Sequence, residues 1–262
     1  MTLPILELYR TVEPPRRCSY LPNETASLEY RVLGQISADD YQTWLERGWR
    51  RHGWHFFRPA CRDCVKCRSL RVDVAAFKPT KSQRRTLKRN PDIRLVVQPA
   101  SVSEDHLRLY NAWHADMHVR SGWRADAIDD RQYYESFLMG DFSFAHEFLY
   151  YRDDQLIGVG LVDVLADSLS SVYFYHDPVW RSLGPGTFTI LQEIEYARTH
   201  GKRWVYLGYH IADCQSMAYK NRFGPHEVLA SYPPPDEEPV WRRPEDSEPD
   251  SSSDGTASIT RQ

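Results

Sequence analysis

"SSVYFYHDPVWRSLGPGTFTILQEIEYA", residues 170–197, carries two hydrophobic periods in one stretch. Up to His176 the residues alternate as on a strand, whose successive side chains point to opposite faces. From Thr187 onward Phe188, Leu191, Ile194 and Ala197 recur at three and four, the spacing of a helix face, and Gly201 should end that helix. Between the two, Arg181-x-x-Gly184-x-Gly186 opens the helix, which leaves free backbone N–H groups to face an anionic or carbonyl-bearing ligand. Upstream, "HEFLYYR" (146–152) and "QLIGVGLVDVL" (155–165) also alternate and are joined by a turn-like "DD", while "WVYLGY" (204–209) follows the helix. The order is an antiparallel meander, a helix, a strand and a last short helix at "DCQSMAYKNRF" (213–223), an α+β arrangement.

Towards the N-terminus the period is helical. "ADDYQTWLERGWRR" (38–51) has Ser37 or Asp39 as a cap and Tyr41, Trp44 and Leu45 as an apolar face. A second helix is predicted over Lys81–Arg89, where Lys81, Arg84, Arg85, Lys88 and Arg89 fall at spacings of three and four and share a face. "NPD" (90–92) breaks it, "IRLVVQ" (93–98) reads as a strand, and "SEDHLRLYNAWHADMHVR" (103–120) as a helix with Leu107, Tyr110 and Trp113 or His114 on one side.

Charge is distributed unevenly. The chain of 262 residues has a formal charge of −3, yet between Arg47 and Arg94 fifteen Lys or Arg stand against three Asp. A local excess of that size in an otherwise acidic protein is either a solvated helix face or a surface for phosphate, since affinity for nucleic acid is dominated by phosphate neutralisation and counterion release. Part of the acid lies in residues 231–262, which hold eight Asp or Glu, are rich in Pro and Ser, and are expected to stay disordered. Three regions result: a basic, cysteine-containing segment 1–97, a segment 98–230 that carries the meander and the helix after it, and a tail 231–262. At 41% hydrophobic residues the chain can bury a substantial core. No stretch approaches the length a membrane span needs and the start lacks a signal-peptide pattern, so a cytosolic protein is expected, without membrane or DNA partners and as a monomer.

In this setting the Arg181–Gly186 loop resembles the acyl-donor loop of the GNAT superfamily. Six blocks together go further: "CSYLPNETASLEY", "WLERGWRRHG", "FFRPACRDCVKCRSLRVDV", "FKPTKSQRRTLKRNPDI", residues 170–197 and "WVYLGYHIADCQSMAYKNRFGPHEVL". They resemble, in order, the blocks of the arginyl-tRNA-protein transferases over roughly residues 15 to 230, closest to the bacterial branch, the aspartate/glutamate leucyltransferases. Leu21 stands where the eukaryotic arginyl enzymes place a second cysteine after Cys18.

The resemblance implies a GNAT-like acyltransferase domain with an antiparallel meander, preceded by a smaller basic domain. It also implies transfer of an aminoacyl group from a charged tRNA, leucyl-tRNA in this branch, to the free N-terminus of a protein that begins with Asp or Glu, creating a degradation signal. No coenzyme is required, because the tRNA ester already stores the activation. Lys81, Arg84, Arg85, Lys88 and Arg89 are then the phosphate partners. Arg181, Lys220 and Arg222 are the cations available to read the acceptor carboxylate. Tyr173, Tyr175, Tyr209 and Tyr219 are hydroxyl contacts, with Tyr173 and Tyr175 lining the cleft together. Asp177, or less favourably His176, is the candidate base, and backbone N–H groups around Gly184–Thr187 the candidate oxyanion donors. Where the bacterial pattern usually runs Arg-His, this chain has Met117 before His118, which puts acceptor recognition there in doubt.

Cys61-x2-Cys64-x2-Cys67 with Cys18 supplies four thiols, and two consecutive C-x2-C steps in a cytosolic chain favour a metal over disulfides. Zinc would be structural; an iron-sulfur cluster would be redox-sensitive, as in relatives of the family. Reduced thiols without metal are the alternative, and Cys214 is expected to be a packed thiol. Three other functions compete: arginyl transfer from arginyl-tRNA, an acetyl-CoA-dependent GNAT acetyltransferase, which leaves the basic segment without a purpose, and a zinc-stabilised RNA-binding module, which leaves the C-terminal half idle.

Overall fold

The computed structural model describes residues 4–124 and 126–244. The first half runs β1 (Leu6–Val12), β2 (Arg16–Arg17), β3 (Thr25–Ala26), β4 (Leu28–Gln35), α1 (Ala38–Glu46), β5 (Arg50–His52), β6 (His55–Pro59), β7 (Arg68–Asp73), α2 (Lys81–Lys88), β8 (Arg94–Pro99) and α3 (Glu104–Ser121). The second runs α4 (Asp130–Tyr133), β9 (Ala145–Arg152), β10 (Gln155–Val164), β11 (Ser168–His176), a 3-10 turn (Pro178–Leu183), α5 (Pro185–Thr199), β12 (Trp204–His210), α6 (Gln215–Ala218), a second 3-10 turn (Tyr219–Arg222), β13 (His226–Leu229) and β14 (Trp241–Arg242).

The meander forms as its alternation dictates. β9 and β10 join through Asp153 and Asp154, both at positive φ (46° and 60°), the turn whose twist suits a two-residue hairpin. β10 is buried along nearly its whole length because helices cover both faces of the sheet. One face packs on α5 through Phe188, Leu191, Ile194 and Ala197, the four residues read as its apolar side. The other packs on α3 and α4 through Leu109, Tyr133, Phe137, Val159 and Tyr175. A third cluster, around Tyr41, Leu45, Trp49 and Phe56, fixes α1 and the β1-β4-β6-β5 sheet against Trp204 and Tyr206 of β12.

The large sheet has the order β14-β13-β7-β12-β11-β10-β9-β8 and is antiparallel except at β11 and β12, which run parallel. It takes strands from both sides of residue 97, with β7 near its centre and β8 at its edge. This GNAT-like core of meander, helix and parallel strand is the one expected. The tail is a correction for its first part. Residues 231–244 fold back as a strap: Trp241 donates Nε1–H to Glu46 O (3.1 Å) and packs on Tyr206 and under Arg71, Tyr232 donates its hydroxyl to Cys67 O (2.6 Å), and Arg47 binds Pro234 O and Glu237 O. Two aromatic anchors and an arginine offset the ordering entropy that the Pro- and Ser-rich composition alone does not. The remaining tail, 245–262, lies outside the described residues. No helix among the described residues is long and apolar enough to cross a membrane.

Candidate functional site

Parallel β11 and β12 stay paired only from Ser168–Ser170 against Trp204–Tyr206. Beyond that they diverge, and backbone groups on each lose their cross-strand partners. Arg50 enters this opening from β5. It donates to Ser170 Oγ (2.9 Å) and to Ser171 O, and lies over Gly208, where an added Cβ would stand 3.3 Å from the guanidinium. Gly208 also has φ at +81°, so both backbone and space call for glycine. Ser171 donates its hydroxyl to Glu193 of α5, whose carboxyl burial pushes up to about 7 against the opposing pull of Ser171 and Arg50. Lys220 of the second 3-10 turn donates Nζ to the carbonyl of Tyr209 on β12 (2.7 Å); burial and the charge of Arg50 lower its amine to about 7. The opening is therefore filled by protein groups.

At the rim the arrangement is different. α2 begins with a reciprocal Thr80–Gln83 capping box. Its inner side docks on the loop before α5: Asn90 Nδ2 binds Leu183 O (3.1 Å), Trp180 Nε1 binds Asn90 Oδ1 (2.7 Å), and Arg89 binds Ser182 O. Gly184, at φ +75°, faces Thr86, and an added Cβ on Gly186 would meet nothing within 4 Å. Sequence reading thus placed the basic helix and the glycine loop apart in the chain, and the fold puts them side by side. Lys81, Arg84, Arg85 and Lys88 remain exposed. Much of the other positive charge is spent internally: Arg50 and Arg51 are buried, Arg51 on Asp163, while Arg58 pairs with Glu29, Arg71 with Glu227 and Lys66 with Glu24 and Asp213. Within the Arg47–Arg94 run the densest group of exposed cations lies on α2 and its approach, including Lys78.

Between α2 and the second 3-10 turn lies a cleft of about 390 Å³, bordered by Ser82, Gln83, Thr86, Thr187, Tyr219 and Arg222. Arg222 and Tyr219 therefore belong to the α2 side. Lys220, one of the cations expected to read the acceptor carboxylate, is buried and bound to a backbone carbonyl. Tyr209 is likewise buried, with its hydroxyl on Gly48 O and Phe57 O (3.2 Å each).

The other tyrosines lie on the α3 side of the sheet. The pair does not line one cleft, because Tyr175 is fully buried with its hydroxyl 2.7 Å from that of Tyr133. Tyr173 is half-buried, 3.0 Å from His114 Nε2, stacked on Phe137 and edge-on to His52. Burial lowers His114, and takes His52 and His176 down to about 4, so these imidazoles are neutral at pH 7. Asp177 caps the 3-10 turn by accepting from Val179 N (2.9 Å). Arg181 makes a bidentate pair with Asp116 of α3, both half-buried, and rests over Trp113. Arg50, Glu193 and Asp116 were not singled out in the sequence, and His114 only as an alternative on one side of α3; nothing local marks these four as part of a site.

Cys18, Cys61, Cys64 and Cys67 border one cavity of about 80 Å³. Cys61 Sγ lies 3.5 Å from both Ser27 N and Ser27 O, and Tyr20 N donates to Cys18 Sγ (3.4 Å). Burial first, then the neighbouring thiols including Cys214, push the Cys67 thiol up to about 12. Four sulfurs around one small space suit a thiophilic centre in donor chemistry. Among the described residues, however, no three Cys, His, Asp or Glu side chains stand close enough together to hold a metal ion.

Comparison with known proteins adds the following. A family model described as "Arginine-tRNA-protein transferase, N terminus" matches residues 16–85, and its C-terminus counterpart matches residues 105–230. Aspartate/glutamate leucyltransferase of Helicobacter hepaticus is 37% identical over 86% of this chain and 93% of that protein. The enzymes of the same name from Campylobacter jejuni (strain 81116) and Saccharophagus degradans are each 34% identical, over 81% and 86% of this chain and 89% and 94% of their own lengths. Among solved structures, FemX is similar with a TM-score of 0.42 at 10% identity, covering 76% of this chain and 79% of that one. The C-terminal domain of a lysylphosphatidylglycerol synthetase from Agrobacterium fabrum gives 0.43 at 14%, covering 68% and 53%.

Proposed function

The chain belongs to the arginine-tRNA-protein transferase family and is an aminoacyltransferase, and on that premise we propose that it moves leucine from leucyl-tRNA to the N-terminal Asp or Glu of an acceptor protein. The observation that carries this reading is the docking of the inner side of α2 on the loop before α5, which leaves the cationic face of α2 exposed and sets phosphate-binding charge near the uncapped first-turn N–H groups of Gly186 and Thr187. The filled opening between β11 and β12 supports it as well, since Arg50 leaves no room there for a long acyl carrier to thread between the strands.

The acceptor α-amine attacks the ester carbonyl carbon, the carbon–oxygen ester bond breaks, and the ribose hydroxyl leaves with one proton while the amide forms. An α-amino group with a pKa of about 8 needs only modest help to become neutral. The Gly186 and Thr187 N–H groups are suited to the developing oxyanion. On the acceptor side, Arg181 offers its planar fork to the side-chain carboxylate, and Tyr173 with His114 forms a polar, partly aromatic wall for the amine. Because His52, His114 and His176 are lowered by burial, they add no competing positive charge beside that amine.

The four N-terminal cysteines are proposed to draw together, from the wider spacing they have here, on a structural zinc or a redox-sensitive iron-sulfur cluster; no step of the transfer runs through it. The direct test mixes purified protein with leucyl-tRNA, arginyl-tRNA or acetyl-CoA, each labelled in its acyl group, and with peptides beginning Asp, Glu or Lys. Leucine in the Asp and Glu peptides alone is expected. Label arriving only from arginyl-tRNA would reassign the donor, and label arriving only from acetyl-CoA would overturn the reading.

A further inference from the structure

We propose that the cleft between α2 and the Tyr219–Arg222 turn binds an adenine nucleotide, the 3′-terminal one of the charged tRNA, with Tyr219 stacking on the base and Arg222 meeting its phosphate. This rests on the tRNA-dependent reading above and names where the end of the donor sits.

The cleft, at about 390 Å³, is in the range of small-ligand sites. No Asp or Glu borders it. Its cation is Arg222, whose main chain is held by Gln83 Nε2 on Arg222 O (3.0 Å), while its guanidinium has no hydrogen-bond or ion-pair partner among the described residues. A fixed backbone with a free, exposed guanidinium suits capture of an anion with two acceptor oxygens. Tyr219 is 37% exposed, and its hydroxyl, which senses the charge of Glu193, makes no hydrogen bond among the described residues, so the exposed part of the side chain is what a base would meet. Base-on-aromatic stacking tolerates any base and needs only an accessible ring. Ser82, Thr86 and Thr187 add hydroxyls to its lining. From this cleft the exposed Lys81, Arg84, Arg85 and Lys88 continue outward on the same helix, where the preceding phosphates of the strand would run.

An acceptor carboxylate would use Arg222 but has no need of Tyr219 or of the hydroxyls. Coenzyme A carries an adenine nucleotide too, so the test has an arm for each source. Equilibrium binding of the trinucleotide CCA, of AMP and of coenzyme A is measured on the full chain and on Tyr219→Ala, Tyr219→Phe and Arg222→Ala. CCA should bind, with affinity kept in Tyr219→Phe and lost by roughly tenfold or more in Tyr219→Ala. Arg222→Ala should weaken CCA and AMP alike and lower the salt dependence by about one ion. In transfer assays both alanine variants should raise KM for charged tRNA and leave KM for the peptide unchanged. CCA binding that is absent, or equal in all four proteins, overturns the subsite even if leucine transfer is intact. Coenzyme A binding more tightly than CCA, with loss in the same variants, overturns the tRNA source and the proposed function together.

Discussion

Replacing Arg85 and Lys88 together by alanine isolates the electrostatic claim. Both side chains are exposed, neither has an ion-pair or hydrogen-bond partner among the described residues, and alanine preserves the helix, so folding should be unaffected. Each phosphate contact contributes about 0.7 to 0.9 to the slope of log affinity against log salt. Losing two should reduce the slope by roughly 1.6. A fourfold rise in salt, from about 50 to 200 mM, then shrinks the affinity gap between parent and variant by roughly ninefold, four raised to the power 1.6. The assay is leucyl-tRNA binding by filter retention or anisotropy along a salt series. Parallel lines on the log–log plot, or a variant weaker by the same factor at every salt, would show that α2 does not meet phosphates.

Four other outcomes follow from the geometry. Glu193 has an ordinary value near 4.5 and a folded value of about 7, so the native state binds its proton more tightly and stability falls as pH rises through that window. Glu193→Gln should therefore gain up to about 3 kcal/mol at pH 8 and less than about 1 kcal/mol at pH 5 in urea unfolding; a gap independent of pH would contradict the buried carboxyl. Asp116 fills the fork of Arg181 with a carboxylate, which an acceptor Asp or Glu would have to displace, so Asp116→Asn should lower KM for Asp- and Glu-initiated peptides several-fold, whereas a raised KM would assign the pair a purely structural part. Since His52 and His176 are held near 4, kcat/KM between pH 6 and 9 should track the peptide's own amine; a fixed inflection near the ordinary histidine value, whatever the peptide, would bring an imidazole back as base. Zinc or iron should co-purify with the protein and fall away in Cys64→Ser, and equal metal in both would reject the cysteine centre.

What could be read from the chain was local. The α2 helix, the turn between β9 and β10 and the apolar stripe of α5 are each decided within a few residues, and the elements stand as read. What could not be read depends on partners more than a hundred residues away. Arg50 and Arg51 sit in the same basic run as Arg84 and Arg85, and counting charge cannot separate an arginine that meets Ser170 or Asp163 across the fold from one that meets solvent. Lys220 has a nearer partner, the carbonyl of Tyr209, but that contact depends on how the second 3-10 turn folds back on β12, which no local pattern gives. The strap was missed because composition averages away two residues, Tyr232 and Trp241, whose burial is what orders the segment. Tyr175 followed its strand period correctly; which face of that strand would be covered by α3 is a matter of tertiary packing, which a period of two cannot give.

The filled opening also explains why the chemistry is assigned to the rim. Where β11 and β12 part, the carbonyls of Ser171 and Tyr209 accept from Arg50 and Lys220, so the groups that a ligand threaded between the strands would otherwise satisfy are already taken by side chains of the protein. Opening that space would strand a buried guanidinium, which cannot lose its proton, at a cost of several kcal/mol. A donor must then approach from outside the sheet, and the free polar groups it encounters there are the amides around Gly186 and the cations of α2. A macromolecular donor that brings its own phosphates and an activated ester needs little more than this surface, because positioning the amine against the carbonyl supplies most of what an already energised bond requires.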